Sequence, residues 1–134
     1  MILVAVLSPN KLKAAELEVK IEDYGVLQKP TWEEEQEALS ISLRSRATVL
    51  QGTWQGQCVP AVYKFLGVGT YKRIGYARNF QVETHEPQVG AIMKLNMAWT
   101  GHLSVIIAIT DEIITYYDSN GSWTQRGAIR TIKR

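Results

Sequence analysis

Residues 101–120 read GHLSVIIAITDEIITYYDSN, and this stretch decides the fold. Leu103 to Ile109 and Glu112 to Tyr117 are rich in β-branched and aromatic residues, which favour strands. The polar break at Thr110-Asp111 is short enough for a hairpin that joins them. Two further β-rich segments flank this pair, namely Val89 to Leu95 and Gly127 to Ile132. The sequence therefore predicts an antiparallel sheet in its C-terminal part.

Helical signals come before the sheet. Ser8-Pro9 suits a helix start, and it predicts a helix over residues 9–24. Thr31 and Glu34 have the spacing of a capping box, which predicts a second helix ending near Leu50. A third, short helix is predicted from Cys58, with Gly67 as its stop. Helices followed by an antiparallel sheet define the α+β class, with N-terminal helices packed on a C-terminal sheet.

Length and composition fit one globular domain. The chain has 134 residues, of which 46% are hydrophobic and 21% charged. We predict a single domain over residues 1–134, with a helical part at 1–50 and a second part at 51–134 that holds the sheet. The opening Met1 to Leu7 is apolar, but it lacks a basic start and is too short to span a bilayer. We predict a buried strand there, the alternative being the remnant of an export or anchoring segment.

The ionisable residues limit the partners and cofactors. Residues 1–50 carry a net charge of −2 and residues 51–134 carry +4, which would favour an anionic polymer as partner, although charge alone fits an ordinary solvated surface better. No basic cluster is interleaved with aromatics, so we predict no nucleic-acid partner. Two histidines and one cysteine are too few for a closed zinc site, and no Asp-rich calcium loop is present. We therefore predict no metal and no cofactor, and the oligomeric state stays open.

The candidate nucleophile is Cys58, the single cysteine of the chain. A thiol at a helix N-terminus has a lowered pKa, so its reactive thiolate becomes accessible near neutral pH. His102 opens a predicted strand 44 residues later, and Asp118 and Asn120 follow one strand further on. A thiol, an imidazole and an orienting carboxylate or amide, in this order, are the parts of a papain-type hydrolase. The competing interpretation is that Cys58 is inert packing and that His102 is structural.

Two further sets of side chains surround the candidate site in sequence. Three glutamines precede the cysteine, namely Gln51, Gln55 and Gln57. One of them is a candidate second donor to an oxyanion, and the sequence leaves open which one. Three tryptophans flank the motif segments, namely Trp54, Trp99 and Trp123. Their rings suit either stacking on sugars and peptides or ordinary packing.

Four segments together carry a family resemblance. They are Gly56-Gln-Cys58, Pro87-Gln-Val-Gly90-Ala-Ile-Met93, Gly101-His-Leu-Ser-Val-Ile-Ile107 and Ile114-Thr-Tyr-Tyr-Asp-Ser-Asn120. From about residue 52 onward the chain resembles a CHAP domain, a papain-like class of cysteine amidases and peptidases. Many members of this class cut bacterial peptidoglycan. The resemblance implies a papain-like fold, with Cys58 as nucleophile and His102 as general base.

The same resemblance implies the rest of the site and the partner. Asp118 stands where the family has glutamate, Asn120 stands where it has asparagine, and Ala91 replaces the usual aspartate. We expect Asp118 or Asn120 to orient His102, with Asp118 favoured because a carboxylate also stabilises an imidazolium. The implied function is hydrolysis of an amide bond in peptidoglycan, in a phage-borne or bacterial lytic enzyme acting at the cell wall. The alternatives are a papain-like peptidase acting on protein and a non-catalytic, virion-associated structural or binding protein.

Overall fold

The computed structural model describes residues 28–68 and 76–134, together with residues 20, 22 and 25. The chain divides into two compact units, residues 1–31 and residues 32–134. The predicted strand over residues 1–7 and nearly all of the predicted helix over residues 9–24 lie outside the described residues. The single domain over residues 1–134 stays a prediction. The architecture below is that of residues 32–134.

Two helices precede the sheet, as the capping signals predict. Helix α1 spans Trp32–Leu50, and its first turn is acidic, which complements the positive end of the helix dipole. Helix α2 spans Cys58–Leu66 and ends at Gly67, whose φ of 67° is left-handed. The Gly67 N–H donates to the Lys64 carbonyl, so the glycine satisfies a carbonyl that would otherwise lack an intrahelical partner.

A four-stranded antiparallel sheet forms the C-terminal part, with its strands in sequence order. The strands are β1 (Ile92–Leu95), β2 (His102–Ile109), β3 (Ile113–Ser119) and β4 (Gly127–Lys133). The predicted hairpin at Thr110-Asp111 joins β2 to β3, and the Thr110 N–H donates to the Ile113 carbonyl at 2.9 Å. Strand β1 is shorter than predicted because Gly90, with a φ of 87°, precedes it in a turn.

The core lies between the two helices and the sheet. Leu43 and Ala47 of α1 and Phe65 of α2 pack in one buried cluster with side chains of β2 and β3. The Phe65 and Tyr117 rings are stacked, with their centroids 4.3 Å apart. The prediction of α+β, with helices packed on an antiparallel sheet, is therefore confirmed. Among the described residues, no helix has the length and apolar content needed to cross a membrane.

Candidate active site

Cys58 is positioned by a loop that is hydrogen-bonded to the far end of the sheet. It is the first residue of α2. In the loop before it, the Gly52 N–H donates to the Gly127 carbonyl at 2.8 Å. The buried Ser119 hydroxyl donates to the Gly56 carbonyl at 2.6 Å. These bonds fix the start of α2 against β3 and β4, so the thiol has a defined position relative to the sheet.

His102 is positioned by a close approach of two backbone segments. It is the first residue of β2 and is almost fully buried. Gly101 before it has a φ of 71°, and a Cβ there would lie 2.7 Å from the Arg78 backbone nitrogen. The Arg78 N–H donates to the Thr100 carbonyl at 2.8 Å. Only glycine combines that φ with that contact, so Gly101 determines where the imidazole enters the site.

Asp118 is the third side chain of the candidate site, and it is bonded to His102. It lies near the end of β3, is fully buried, and its Oδ2 is 2.7 Å from His102 Nε2. This contact leaves the other ring nitrogen, Nδ1, free of Asp118, and the His102 side chain lies close enough to the Cys58 thiol for each group to shift the pKa of the other. The structure thus brings Cys58, His102 and Asp118 together from α2, β2 and β3.

The site lowers the pKa of the Cys58 thiol and raises the pKa of the His102 imidazole. Burial by itself raises the pKa of Cys58. Hydrogen bonds from His102 and from two backbone N–H groups, together with the nearby imidazolium charge, outweigh burial and lower this pKa. Burial alone lowers the pKa of His102, but hydrogen bonds and charges from Asp118 and Cys58 raise it to about 9. Both shifts favour the thiolate–imidazolium pair over the neutral thiol and imidazole.

Asn120 occupies a turn beyond the end of β3. Its φ is 66°, and its Oδ1 accepts a hydrogen bond from the Gln125 N–H at 3.0 Å. Asn120 therefore lies beyond β3, which ends at Ser119, and its amide oxygen is bonded within the turn. The structure brings Asp118, rather than Asn120, to the imidazole, while Asn120 shapes the turn that leads to β4.

A cleft of about 510 Å³ opens beside Cys58 and His102. Of the three candidate glutamines, Gln57 lines this cleft, whereas Gln55 donates its amide to Thr53 at 2.9 Å. Trp123 also lines the cleft and is 69% exposed. The other lining residues are Cys58, Val59, Pro60, Tyr76, Ala77, Met97, Ala98, Thr100, Gly101, His102, Asn120 and Gly121. None of these lining residues is Asp, Glu, Lys or Arg.

The other two tryptophans lie elsewhere. Trp99 contacts Tyr76, which lines the cleft, with the two rings edge to face and their centroids 5.1 Å apart. The Arg78 guanidinium lies 3.7 Å above the Trp99 ring. Trp54 is 66% exposed, in the loop before α2. In the part of the chain that is described, no three His, Cys, Asp or Glu side chains converge into a group that suits a metal ion.

The sequence reasoning missed two side chains that contact the site. Ser119 holds the loop before Cys58, and Arg130 Nε lies 3.1 Å from Asp118 Oδ1. One signal pointed to Arg130, since it is the one charged residue in the β-rich segment over residues 127–132. Its partner depends on the register of β4 against β3, which the sequence does not show.

A scan of protein-family models found no match to this chain, and neither did searches of curated proteins and of solved structures.

Proposed function

We propose that the protein is a papain-like cysteine hydrolase of the CHAP type that cleaves an amide bond in bacterial peptidoglycan. One observation carries the proposal, namely the convergence of Cys58 and His102 on one cleft, with His102 hydrogen-bonded to the buried Asp118 and near enough to Cys58 to lower the pKa of its thiol. Each member has the partner that its role requires: a thiol paired with an imidazole, and an imidazole held by a carboxylate. The motif resemblance from residue 52 onward supports the same class.

The proposed reaction has two stages. In the first, the Cys58 thiolate attacks the amide carbonyl carbon, and the His102 imidazolium gives its proton to the leaving amine. The first turn of α2, with the Gln57 side chain beside it, would hold the negative oxygen of the tetrahedral intermediate. In the second, neutral His102 takes a proton from water, which attacks the thioester and releases a carboxylate and the free thiolate.

Peptidoglycan is proposed as the substrate on the strength of charge and resemblance. Residues 51–134, which hold the site, carry a net charge of +4, and this favours approach to an anionic wall polymer. The cleft has no Asp, Glu, Lys or Arg among its lining residues, so the segment around the scissile bond would be uncharged. The exposed Trp123 offers a flat ring for a sugar or an apolar peptide side chain.

The test is digestion of purified peptidoglycan, with new amino groups identified by mass spectrometry. Wild type and His85→Ala should release the same amines, because His85 is an exposed residue outside the cleft. Cys58→Ala should release none while keeping the melting temperature of the wild type. Release of amines by Cys58→Ala would refute the cysteine mechanism. An inert wall together with a cleaved casein substrate would identify a protein peptidase, and an unreactive thiol would identify a non-catalytic protein.

A further inference from the structure

Arg130 continues the series of contacts beyond Asp118. Its Nε lies 3.1 Å from Asp118 Oδ1, while Asp118 Oδ2 lies 2.7 Å from His102 Nε2. The sheet explains this geometry, since Asp118 pairs with Ala128, and Arg130 is two residues further along β4 on the same face. His102, Asp118 and Arg130 thus lie on three consecutive strands, and each oxygen of the carboxylate has its own nitrogen partner.

Burial makes both partners necessary. Asp118 is fully buried, whereas the Arg130 side chain is 36% exposed and reaches the carboxylate from the edge of the site. A buried carboxylate that loses a partner leaves an uncompensated charge, and it is expected to rotate towards another donor or water. Gly121 leaves room for this contact, because a Cβ there would overlap Asp118 Oδ2 and lie 3.1 Å from Arg130 Nε. The carboxylate therefore lies against the Gly121 backbone and is held by Arg130.

We propose that Arg130 is a positioning residue for the catalytic pair: it holds Asp118 in the orientation that directs His102 towards the Cys58 thiol. This inference rests on the proposed function, in which Cys58 and His102 react. Arg130 lies outside the set of residues that line the cleft, so it acts through Asp118. Its contact is through one nitrogen, Nε, rather than a two-nitrogen fork, so a lysine ammonium can replace it at this position.

The test compares Arg130→Met, Arg130→Lys and the control Arg134→Met. Arg134 follows β4 and donates to the Thr110 carbonyl in the hairpin before β3, whereas Asp118 lies near the other end of β3. Arg130→Met should lower kcat by about 10- to 100-fold with little change in KM, since it disturbs the orientation of His102 and leaves the cleft intact. Arg130→Lys should stay within about threefold of wild type, and Arg134→Met should match wild type.

A second measurement needs no substrate and separates this inference from the proposed function. The rate at which iodoacetamide alkylates Cys58 is followed between pH 4 and 9 in each variant. In Arg130→Met the acidic midpoint should rise by about one pH unit, because a less well-oriented His102 stabilises the thiolate less. A purely structural arginine would lower the melting temperature and leave this midpoint in place. If the wild type fails to digest peptidoglycan, the alkylation measurement still decides the role of Arg130.

Asp118→Asn provides the background that shows whether Arg130 acts through the carboxylate. Adding Arg130→Met to Asp118→Asn should leave the alkylation midpoint in place and change kcat by less than about twofold, because the acceptor charge is already gone. The double variant also removes the unpaired buried charge, so it tests the inference even if Arg130→Met alone does not fold. A full, additive loss in the double variant, or a wild-type alkylation profile in Arg130→Met, would overturn the proposal.

Discussion

At the scale of single residues, the choice between Asp118 and Asn120 is the sharpest prediction. Asp118→Ala should lower the rate of amide hydrolysis by about 10- to 1,000-fold, less than the loss of Cys58, because packing still holds part of the His102 population in place. The matched comparison is Asn120→Gly, which removes the amide and tolerates the φ of 66°. It should cost at least about tenfold less than Asp118→Ala. Steady-state kinetics on one substrate decide between them, and the reverse order would make the amide the orienting group.

The pH dependence of the reaction is a second prediction at this scale. The pKa of His102 is raised to about 9, so up to that pH it keeps the proton that it would give to the leaving amine in the proposed reaction. We therefore expect kcat/KM to hold a plateau from the acidic limb set by Cys58 and to fall above about pH 9. Alkylation of Cys58 should show no such fall, because the thiolate persists after His102 loses its proton.

Asp118→Asn is the variant that checks this assignment. The hydrogen bond and charge of Asp118 raise the pKa of His102, so their loss should move the alkaline limb of kcat/KM to lower pH. An alkaline limb that stays near pH 9 in Asp118→Asn would mean that another group controls it.

At the scale of elements, Gly101 is predicted to be the critical residue of the turn before β2. Gly101→Ala places a β-carbon against the Arg78 backbone and forces alanine into a left-handed φ. We expect a loss of about 2–4 kcal/mol in the free energy of unfolding and slower alkylation of Cys58 at pH 7, because His102 shifts. Gly67→Ala is the matched control, since Gly67 has a φ of 67° with open space around it and lies at the opposite end of α2 from Cys58.

Gly67→Ala should cost only the backbone strain, about 1–2 kcal/mol, and should leave the alkylation rate unchanged. Chemical denaturation measures both variants. Equal losses in the free energy of unfolding of the two variants would show that the contact with Arg78 does not contribute to the cost.

The elements also show which features the sequence can predict. The capping box at Thr31 and the stop at Gly67 are local signals, and the helices form where those signals predict them. The strands are recognised by composition, and their ends shift because turns such as the one at Gly90 depend on tertiary contacts. Arg130 was missed for a different reason: its contact with Asp118 follows from strand register, which a single sequence leaves open.

At the scale of the whole molecule, residues 32–134 are predicted to fold without residues 1–31. The core cluster lies within this unit, and α1 contributes Leu43 and Ala47 to it, while its Ser40 hydroxyl donates to the Ile107 carbonyl at 2.7 Å. A variant lacking residues 1–31 should therefore unfold cooperatively and should keep the alkylation profile of the full chain.

The contrasting variant lacks residues 1–50. It loses α1 and the buried face that this helix places on the sheet, so we expect no cooperative melting transition. Circular dichroism during heating measures both deletions. A folded, reactive protein from residues 51–134 would confirm the smaller catalytic part that the motifs alone outline, and it would show α1 to be dispensable.

The hydrogen bond from Ser119 to Gly56 has a consequence for the order of events during synthesis. It joins residues 63 positions apart, and Gly127 secures the same loop from still further along the chain. Contacts of such long sequence separation form late, because they close large loops at an entropic cost. We therefore expect Cys58 to reach its folded environment late, because a nascent chain that has not yet emerged to residue 127 lacks the contacts that position its loop.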